Sequence, residues 1–182
     1  SGHETIVMTA SGCGVHVRDY AHLLQDDARY ATRAARIALA TRDISEVIIA
    51  EKARLLELFA TAQPQGLPAE SAPATRRQMR PVAFHSSCTL QHGQKIRGVV
   101  EELLAAAGYA LTPVTDAHLC CGSAGTYSVL QPEISTRLRD NKLGGLGVGG
   151  GAPPAVIASA NIGCIAHLQS GTDVPVRHWI EL

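Results

Sequence analysis

The chain has 182 residues, and its Lys and Arg residues number 16, as do its Asp and Glu residues. A balanced charge provides no overall field for nucleic acid or an anionic membrane, so we expect no nucleic-acid partner. The length allows one sizeable core or two small lobes. No apolar run approaches the roughly 18 residues of a membrane-spanning helix, so any membrane contact is expected to be peripheral. Five cysteines without a signal-peptide pattern favour reduced thiols in a cytoplasmic protein.

The chain opens with an apolar, strand-like run that is followed by small residues and then by Cys13 and His16. The same order returns near the carboxyl end, where an apolar run precedes Cys164 and His167. This self-similarity predicts the last part of a first repeat at 1–63 and a complete second repeat at 81–182. Residues 64–80 hold several prolines with little periodicity and are predicted to be a linker.

Helix formers dominate the first part of the chain from Asp19 to about Gln63. Within this stretch, the run Asp43-Ile44-Ser45-Glu46 has the form of a capping box that opens a second helix through about Phe59. We therefore predict helices that pack against a sheet, with no ligand of their own.

The second part alternates between strand-like and helix-like segments. The predicted segments are a strand at Pro81–His85, a helix at Gln94–Ala107 ended by Gly108, an extended segment from Tyr109, a helix from Tyr127 to about Lys142 and a strand at Ala155–Ala160. Such alternation predicts an α/β fold with a parallel sheet in Rossmann-like layers.

Cys120 and Cys121 are adjacent and are followed by Gly122. Neighbouring cysteines can offer two thiolates to one metal cluster, and the glycine lets the backbone turn closely around it. Two buried free thiols or a strained vicinal disulfide are the alternatives that the pair alone leaves open.

Cys88 and Cys164 each follow a predicted strand, as the adjacent pair does, and ligand-binding loops gather at such strand ends. The spacings between these cysteines are far too long for a zinc knuckle or a ferredoxin-type run, so only a folded scaffold would unite them. With His167 they make a set of ligands suited to iron-sulfur or zinc, and ligand type does not decide between the two.

Other motifs carry weaker signals. The glycine pattern at 145–150 satisfies G-x-G-x-x-G, but it follows a helix and precedes a strand, the reverse of a dinucleotide site, so we predict a plain loop. His85 and His118 could assist a zinc site, or could cap or pack at strand ends. No Ser-His-Asp arrangement or carboxylate pair stands out, so no catalytic residue is predicted.

The segments around the cysteines resemble the cysteine-rich "CCG" domain, in which one cysteine is followed by a Cys-Cys-Gly triplet and then by C-x-x-C. This domain occurs in heterodisulfide reductases and in iron-sulfur subunits of 2-hydroxyacid and glycerol-3-phosphate dehydrogenases. The similarity is greatest to the iron-sulfur subunits of glycolate oxidases and extends through nearly the whole chain. The segments that carry it are His85–Lys95, Cys120–Glu133, Ser159–Gln169 and Pro175–Glu181.

The resemblance implies an iron-sulfur electron-transfer domain of a glycolate oxidase complex, which relays electrons from the flavoprotein subunits to a membrane acceptor. Substrate oxidation would take place in the flavin-containing partner subunits. The implied cofactor is a [4Fe-4S] cluster, and a ferredoxin-type amino-terminal part of the same subunit is a further implied partner. The chain would then be the carboxyl-terminal part of a longer subunit, cytoplasmic or peripheral on the inner membrane.

The resemblance also implies the site residues. Its metal ligands would be Cys88, Cys120, Cys121 and Cys164, with His167 as a further cofactor-binding residue where relatives commonly have cysteine. For His167, the roles of ligand, polar neighbour and packed side chain all stay open, as do the roles of Cys13 and His16. Alternative functions are a zinc-stabilised structural or assembly domain, with zinc or no metal in this chain, and the CCG domain of a lactate, glycerol-3-phosphate or heterodisulfide-type oxidoreductase.

Overall fold

The structure is a computed structural model that describes residues 5–61 and 81–182, so the predicted linker at 64–80 lies outside the described residues. The strands are β1 (Ile6–Met8), β2 (Thr41–Asp43), β3 (Pro81–His85), β4 (Ala110–Leu111), β5 (Val156–Ser159) and β6 (Val176–His178). The helices are α1 (Ser11–Leu23), α2 (Ala31–Ala40), α3 (Ile44–Ala50), α4 (Lys52–Thr61), α5 (Val99–Ala106), α6 (Tyr127–Leu130), α7 (Pro132–Gly145) and α8 (Ile162–Gln169). Within the described ranges, none of these helices has the length and apolar character needed to cross a lipid bilayer.

The strands form two parallel sheets. β1 pairs with β2, and the larger sheet has the order β4-β3-β5-β6. Side chains alternate between its two faces, so Val82 and Phe84 pack against α3 and α5, whereas Ala83 and Ile157 pack against α7 and α8. A sheet that is covered on both faces needs nearly continuous apolar strands, and the buried run of β3 meets that need. The predicted parallel α/β class is confirmed.

The predicted capping box is present at the start of α3. Asp43 Oδ1 accepts a hydrogen bond from Ser45 N at 2.9 Å, and Glu46 Oε2 accepts one from Asp43 N at 2.8 Å. The helix that it opens is shorter than predicted, since α3 ends at Ala50 and α4 begins at Lys52. The prediction of helix throughout this region also missed β2, which lies between α2 and α3.

Two helix boundaries in the second part differ from the prediction. A π-helical turn covers Thr89–Gly93, and α5 begins at Val99 rather than at Gln94. Lys95 and Gly98 have φ angles of 62° and 76°, and this left-handed backbone interrupts a helix. The helix predicted from Tyr127 is divided into α6 and α7 because Pro132 lacks an amide hydrogen and therefore suits the first position of a helix.

The amino-terminal end of α1 is held against the carboxyl ends of β3 and β5. Ser11 N donates to Ala160 O at 3.0 Å, and Ser11 Oγ lies 2.7 Å from Ser87 Oγ. Thr89 Oγ1 lies 2.8 Å from Ser11 Oγ and accepts a hydrogen bond from Asn161 Nδ2 at 3.2 Å. This polar network joins the first part of the chain to the loops that follow β3 and β5.

Gln94 makes a second contact between the two parts of the chain. Its Nε2 donates to Ser11 O and to Asp43 Oδ2, each at 3.2 Å. Asp43 is only 1% exposed, and its Oδ1 also accepts from Ser45 Oγ at 2.7 Å. The buried carboxylate therefore caps a helix and links two segments that are distant in sequence.

We expect Asp43→Ala to lower the free energy of unfolding by about 2–4 kcal/mol, because it removes the cap of α3 and leaves the donors of Ser45 and Gln94 unpaired. Urea denaturation followed by circular dichroism measures the loss. The control is Asp26→Ala, at an exposed acidic residue, for which a change below about 0.5 kcal/mol is expected. Equal losses in the two variants would contradict the role assigned to Asp43.

Candidate metal centre

The candidate centre lies at the carboxyl ends of β3 and β5. These two strands pair directly and in parallel, with His85 opposite Ser159. From β3 the chain continues through α5 to β4 on one side, whereas β5 leads through α8 to β6 on the other. The crevice where strand order reverses in this way is the usual ligand site of an open α/β sheet. Cys88 follows β3, and Cys164 lies in the first turn of α8 after β5.

The loop between β4 and α6 brings Cys120 and Cys121 to the same end of the sheet. Gly122 follows with a φ of 90°, and its N–H donates to Cys120 Sγ at 3.3 Å. A Cβ atom at position 122 would stand 2.5 Å from Ser135 O, so only glycine fits this turn against α7. The tight turn is what directs two consecutive thiols toward one site.

Four thiols are consecutive neighbours in this crevice. Hydrogen-bonding contacts join Cys88 to Cys120, Cys120 to Cys121, and Cys121 to Cys164. All four are free thiols, so Cys120 and Cys121 form no vicinal disulfide. Cys121 and Cys164 are buried in the core on the α7–α8 side of the sheet, whereas Cys88 and Cys120 are partly exposed. The structure thus brings together the four predicted cysteines, and a set of thiolates from three loops fits a soft metal or an iron-sulfur cluster.

The direction of the pKa shift alternates along the row of thiols. Hydrogen bonds from the Cys121 and Cys88 thiols lower the pKa of Cys120, and a hydrogen bond from Cys121 lowers the pKa of Cys164. Donating these bonds raises the pKa of Cys88 and of Cys121. A metal bound by all four sulfur atoms would take them as thiolates, so binding would release the protons that the thiols hold.

His85 is the histidine that the structure places with the thiols. Its side chain is 2% exposed, and its ligand atom, Cys121 Sγ and Cys164 Sγ all lie within 4.8 Å of one another. Nδ1 lies 2.9 Å from Ser159 Oγ, and this contact orients the ring. Burial, with the positive charge of Lys142 as a smaller cause, lowers the pKa of His85 to about 4. The imidazole is thus neutral at neutral pH, the form that can bind a metal.

His167 lies three residues beyond Cys164 on α8 and contacts α7. Its Nε2 lies 3.2 Å from Ser135 Oγ and 3.3 Å from Ser135 O. Ser135 Oγ in turn donates to Gly122 O at 2.8 Å. Through Ser135, His167 is therefore connected to the turn that holds the adjacent cysteines, while its predicted role as a ligand stays a prediction.

Cys13 and His16 lie on α1 and are not part of the row of thiols. Cys13 is exposed and is the third residue of α1, as Cys164 is the third residue of α8. The ring of His16 contacts that of Tyr20 edge to face, with centroids 5.5 Å apart. Each of these two cysteines thus has the same position in a helix that follows a strand. The division of the chain into repeats stays a prediction.

From the sequence, His85 could assist a zinc site, although a histidine at a strand end more often caps or packs. The pairing of β3 with β5 is the observation that favours a ligand role for His85. His85 ends β3 directly opposite Ser159, and this serine holds the ring in place. His118, considered for the same role, is exposed. Its backbone oxygen lies 3.0 Å from His92 Nε2. Only His85 forms a close group with cysteines within the described residues.

Comparison with known proteins identifies the sequence around this centre. Residues 82–169, which include all four cysteines of the row, match the family described as "CCG: Cysteine-rich domain". The chain is similar to the glycolate oxidase iron-sulfur subunit of Escherichia coli, with 41% identity over 182 residues, which is 100% of this chain and 40% of the relative.

Further relatives have related names. The probable glycolate oxidase iron-sulfur subunit of Bacillus subtilis is 26% identical over 93% of this chain and 34% of its own length. Lactate utilization protein A of an Exiguobacterium species is 30% identical over 98% of this chain and 67% of its own length. The chain thus spans less than half the length of the two glycolate oxidase subunits that it matches.

Gly122→Ala tests the turn that directs Cys120 and Cys121 into the crevice. We expect it to lower the free energy of unfolding by about 2–4 kcal/mol, because the new Cβ overlaps Ser135 O and the backbone is left-handed. Co²⁺ binding, read from the thiolate-to-metal absorption band, should weaken as well.

Gly125→Ala is the matched control, since Gly125 also has a positive φ but has no atom within 4 Å of an added Cβ. Its expected loss is about 1 kcal/mol, with unchanged Co²⁺ binding. If the two variants bound Co²⁺ equally well, the close packing at Gly122 would not be what positions the thiols.

Proposed function

Because the chain belongs to the cysteine-rich CCG domain family, together with iron-sulfur subunits of glycolate oxidase and Lactate utilization protein A, we propose that it is the iron-sulfur electron-transfer part of an oxidoreductase that oxidises 2-hydroxy acids. The observation that carries the proposal is the row of four thiols from three loops at the switch point of a parallel sheet. A [4Fe-4S] cluster held there would accept and release single electrons.

The ligand set that we propose is Cys88, Cys120, Cys121 and Cys164, with the His85 imidazole facing the inner pair. Soft thiolates are the ligands that iron-sulfur clusters take, and a neutral imidazole serves iron in some centres. Gly122 N–H donates to Cys120 Sγ, and the Ser123 hydroxyl lies 3.6 Å from Cys164 Sγ. Hydrogen bonds to the cluster sulfur ligands tune the reduction potential.

The burial of the thiols suits a relay. Cys121 and Cys164 are 1% and 4% exposed, so they hold the inner side of the centre away from water. Cys88 and Cys120 are partly exposed and form its outer side. A redox partner that docks on this outer side comes close to the centre without any rearrangement of the core.

We propose glycolate as the substrate of the whole complex, on the strength of the relative with 41% identity over the full chain. Flavin-containing partner subunits would oxidise it, and a ferredoxin-type part of the same subunit would extend the electron path. The proposed electron acceptor lies at the membrane. We therefore propose that the chain is cytoplasmic and contacts the membrane surface peripherally. Lactate is the competing substrate, because the chain also resembles Lactate utilization protein A.

A zinc-stabilised structural domain is the second candidate function. The observation that favours it is the close group of His85, Cys121 and Cys164, whose ligand atoms all lie within 4.8 Å of one another. Zinc accepts such a mixed set of sulfur and nitrogen ligands. In that case the centre would stabilise the domain for assembly with its partners and would carry no electrons.

Cys120→Ser and Cys164→Ser test the electron-transfer function. After anaerobic reconstitution of the intact subunit, we expect both variants to lose the iron and labile sulfide of this centre, because each removes a sulfur ligand. Electron delivery by the complex should fail, while reduction of the partner flavin by glycolate persists. Cys13→Ser is the matched control, since Cys13 is exposed on α1, and it should keep its iron and sulfide.

Two results would refute this assignment. Zinc in place of the iron and labile sulfide of this centre, in the anaerobically purified wild-type subunit, would favour the structural function. Loss of flavin reduction in the cysteine variants would indicate an assembly role. If lactate reduced the complex faster than glycolate does, lactate would be the substrate. The electron-transfer function would still hold.

The histidines provide a separate test. His85→Ala should weaken Co²⁺ binding by about 10- to 100-fold and change the ligand-field spectrum, because an inner nitrogen ligand is lost. His167→Ala should keep the spectrum of the wild type, since its ring contacts Ser135. If His167→Ala changes the spectrum and His85→Ala does not, the assignment of the two histidines is reversed. His85→Gln, with unfolding followed in parallel, separates loss of a ligand from loss of fold.

A further inference from the structure

Lys142 is a buried cation beside the row of thiols. It lies in the last turn of α7 and is 3% exposed. Its Nζ donates to Asp116 O at 2.7 Å, in the loop that leads to Cys120. Thr115 N also donates to Gly145 O at 3.0 Å, so this end of α7 and the loop are firmly joined. The ammonium group is therefore held in place next to the cysteine loop.

The ammonium group has no carboxylate partner within the described residues. The ion pairs found in 5–61 and 81–182 involve Arg18, Lys52 and Arg139. A buried positive charge is costly unless opposite charges or hydrogen-bond acceptors compensate it.

Lys142 shares one face of α7 with Ser135, which donates to Gly122 O at 2.8 Å, and with Leu138, which lies against Gly122. That face packs on the loop of the adjacent cysteines.

Burial lowers the pKa of Lys142, and the negative charges of Cys121, Asp116 and Cys120 act in the opposite direction. The same positive charge contributes to the lowered pKa of His85. Lys142 is thus within electrostatic range of both the thiolates and the imidazole of the centre.

We propose that Lys142 is the fixed counter-cation of the cysteine centre, which favours metal binding by the thiolates and raises the reduction potential of a cluster held there. Four thiolates around one site repel one another, and a nearby positive charge offsets that repulsion. When the centre gains one electron and no proton, its negative charge increases by one. The attraction to Lys142 then increases, so the reduced state is stabilised. The redox part of this inference depends on the proposed function, whereas the metal-binding part does not.

Lys142→Gln removes the charge and keeps a hydrogen-bond donor for Asp116 O, whereas Lys142→Arg keeps the charge. In the reduced apo-protein, we expect Lys142→Gln to bind Co²⁺ about tenfold more weakly than the wild type, and Lys142→Arg to stay close to it. In the reconstituted subunit, an EPR-monitored titration with dithionite should give a more negative midpoint potential for Lys142→Gln. Lys95→Met, at an exposed lysine, is the control for a general loss of charge and should change neither quantity.

The outcomes separate this inference from the proposed function. A Lys142→Gln variant with wild-type Co²⁺ affinity and wild-type potential would overturn the inference, and so would equal losses in Lys95→Met. If the wild-type subunit takes up no cluster, the proposed function fails, and the Co²⁺ measurement alone then decides the role of Lys142. Should Lys142→Gln fail to fold, Lys142→Met and Lys142→Arg supply the comparison of neutral with charged side chains, and equal Co²⁺ affinities in those two would overturn the inference.

Discussion

The direct parallel pairing of β3 with β5 is the constraint on which the rest of the structure depends. Its register sets His85 opposite Ser159, so that a histidine and the serine that orients it lie on the same face. It also brings the loop of Cys88 beside the helix start of Cys164. A slip of one residue would turn either side chain to the opposite face of the sheet, and the group of His85 with the inner cysteines would be lost.

Charge explains why the centre is arranged in layers from inside to outside. The inner layer has a neutral imidazole and two buried cysteines, and Lys142 is buried within electrostatic range of this layer. The outer layer has partly exposed sulfur atoms that water can stabilise. Negative charge can therefore collect in the crevice because it is offset by a lysine on one side and by solvent on the other. The same arrangement leaves an accessible edge for a partner.

Much of this could be predicted from the sequence, because the signals were local. The alternation of strands and helices, the capping box at Asp43 and the strand at Pro81–His85 depend on neighbouring residues, and all are present. The roles of the histidines depend on distant contacts. His167 follows Cys164 at a helical spacing that favours a shared face, but Ser135 of α7 lies against its ring. The ring environment of His85 is set by Ser159, a residue of another strand, and local spacing does not reveal it.

The hydrogen-bond network around Ser11 has a consequence for the time at which a metal can enter. Asn161 and Ser11 are 150 positions apart in the chain, yet they meet between the loops that carry Cys88 and Cys164. Bringing together residues so distant in sequence costs the entropy of closing a long loop. The thiols are neighbours only in a chain in which these distant segments have met. Metal that meets an unfolded chain would find its cysteines one or two at a time.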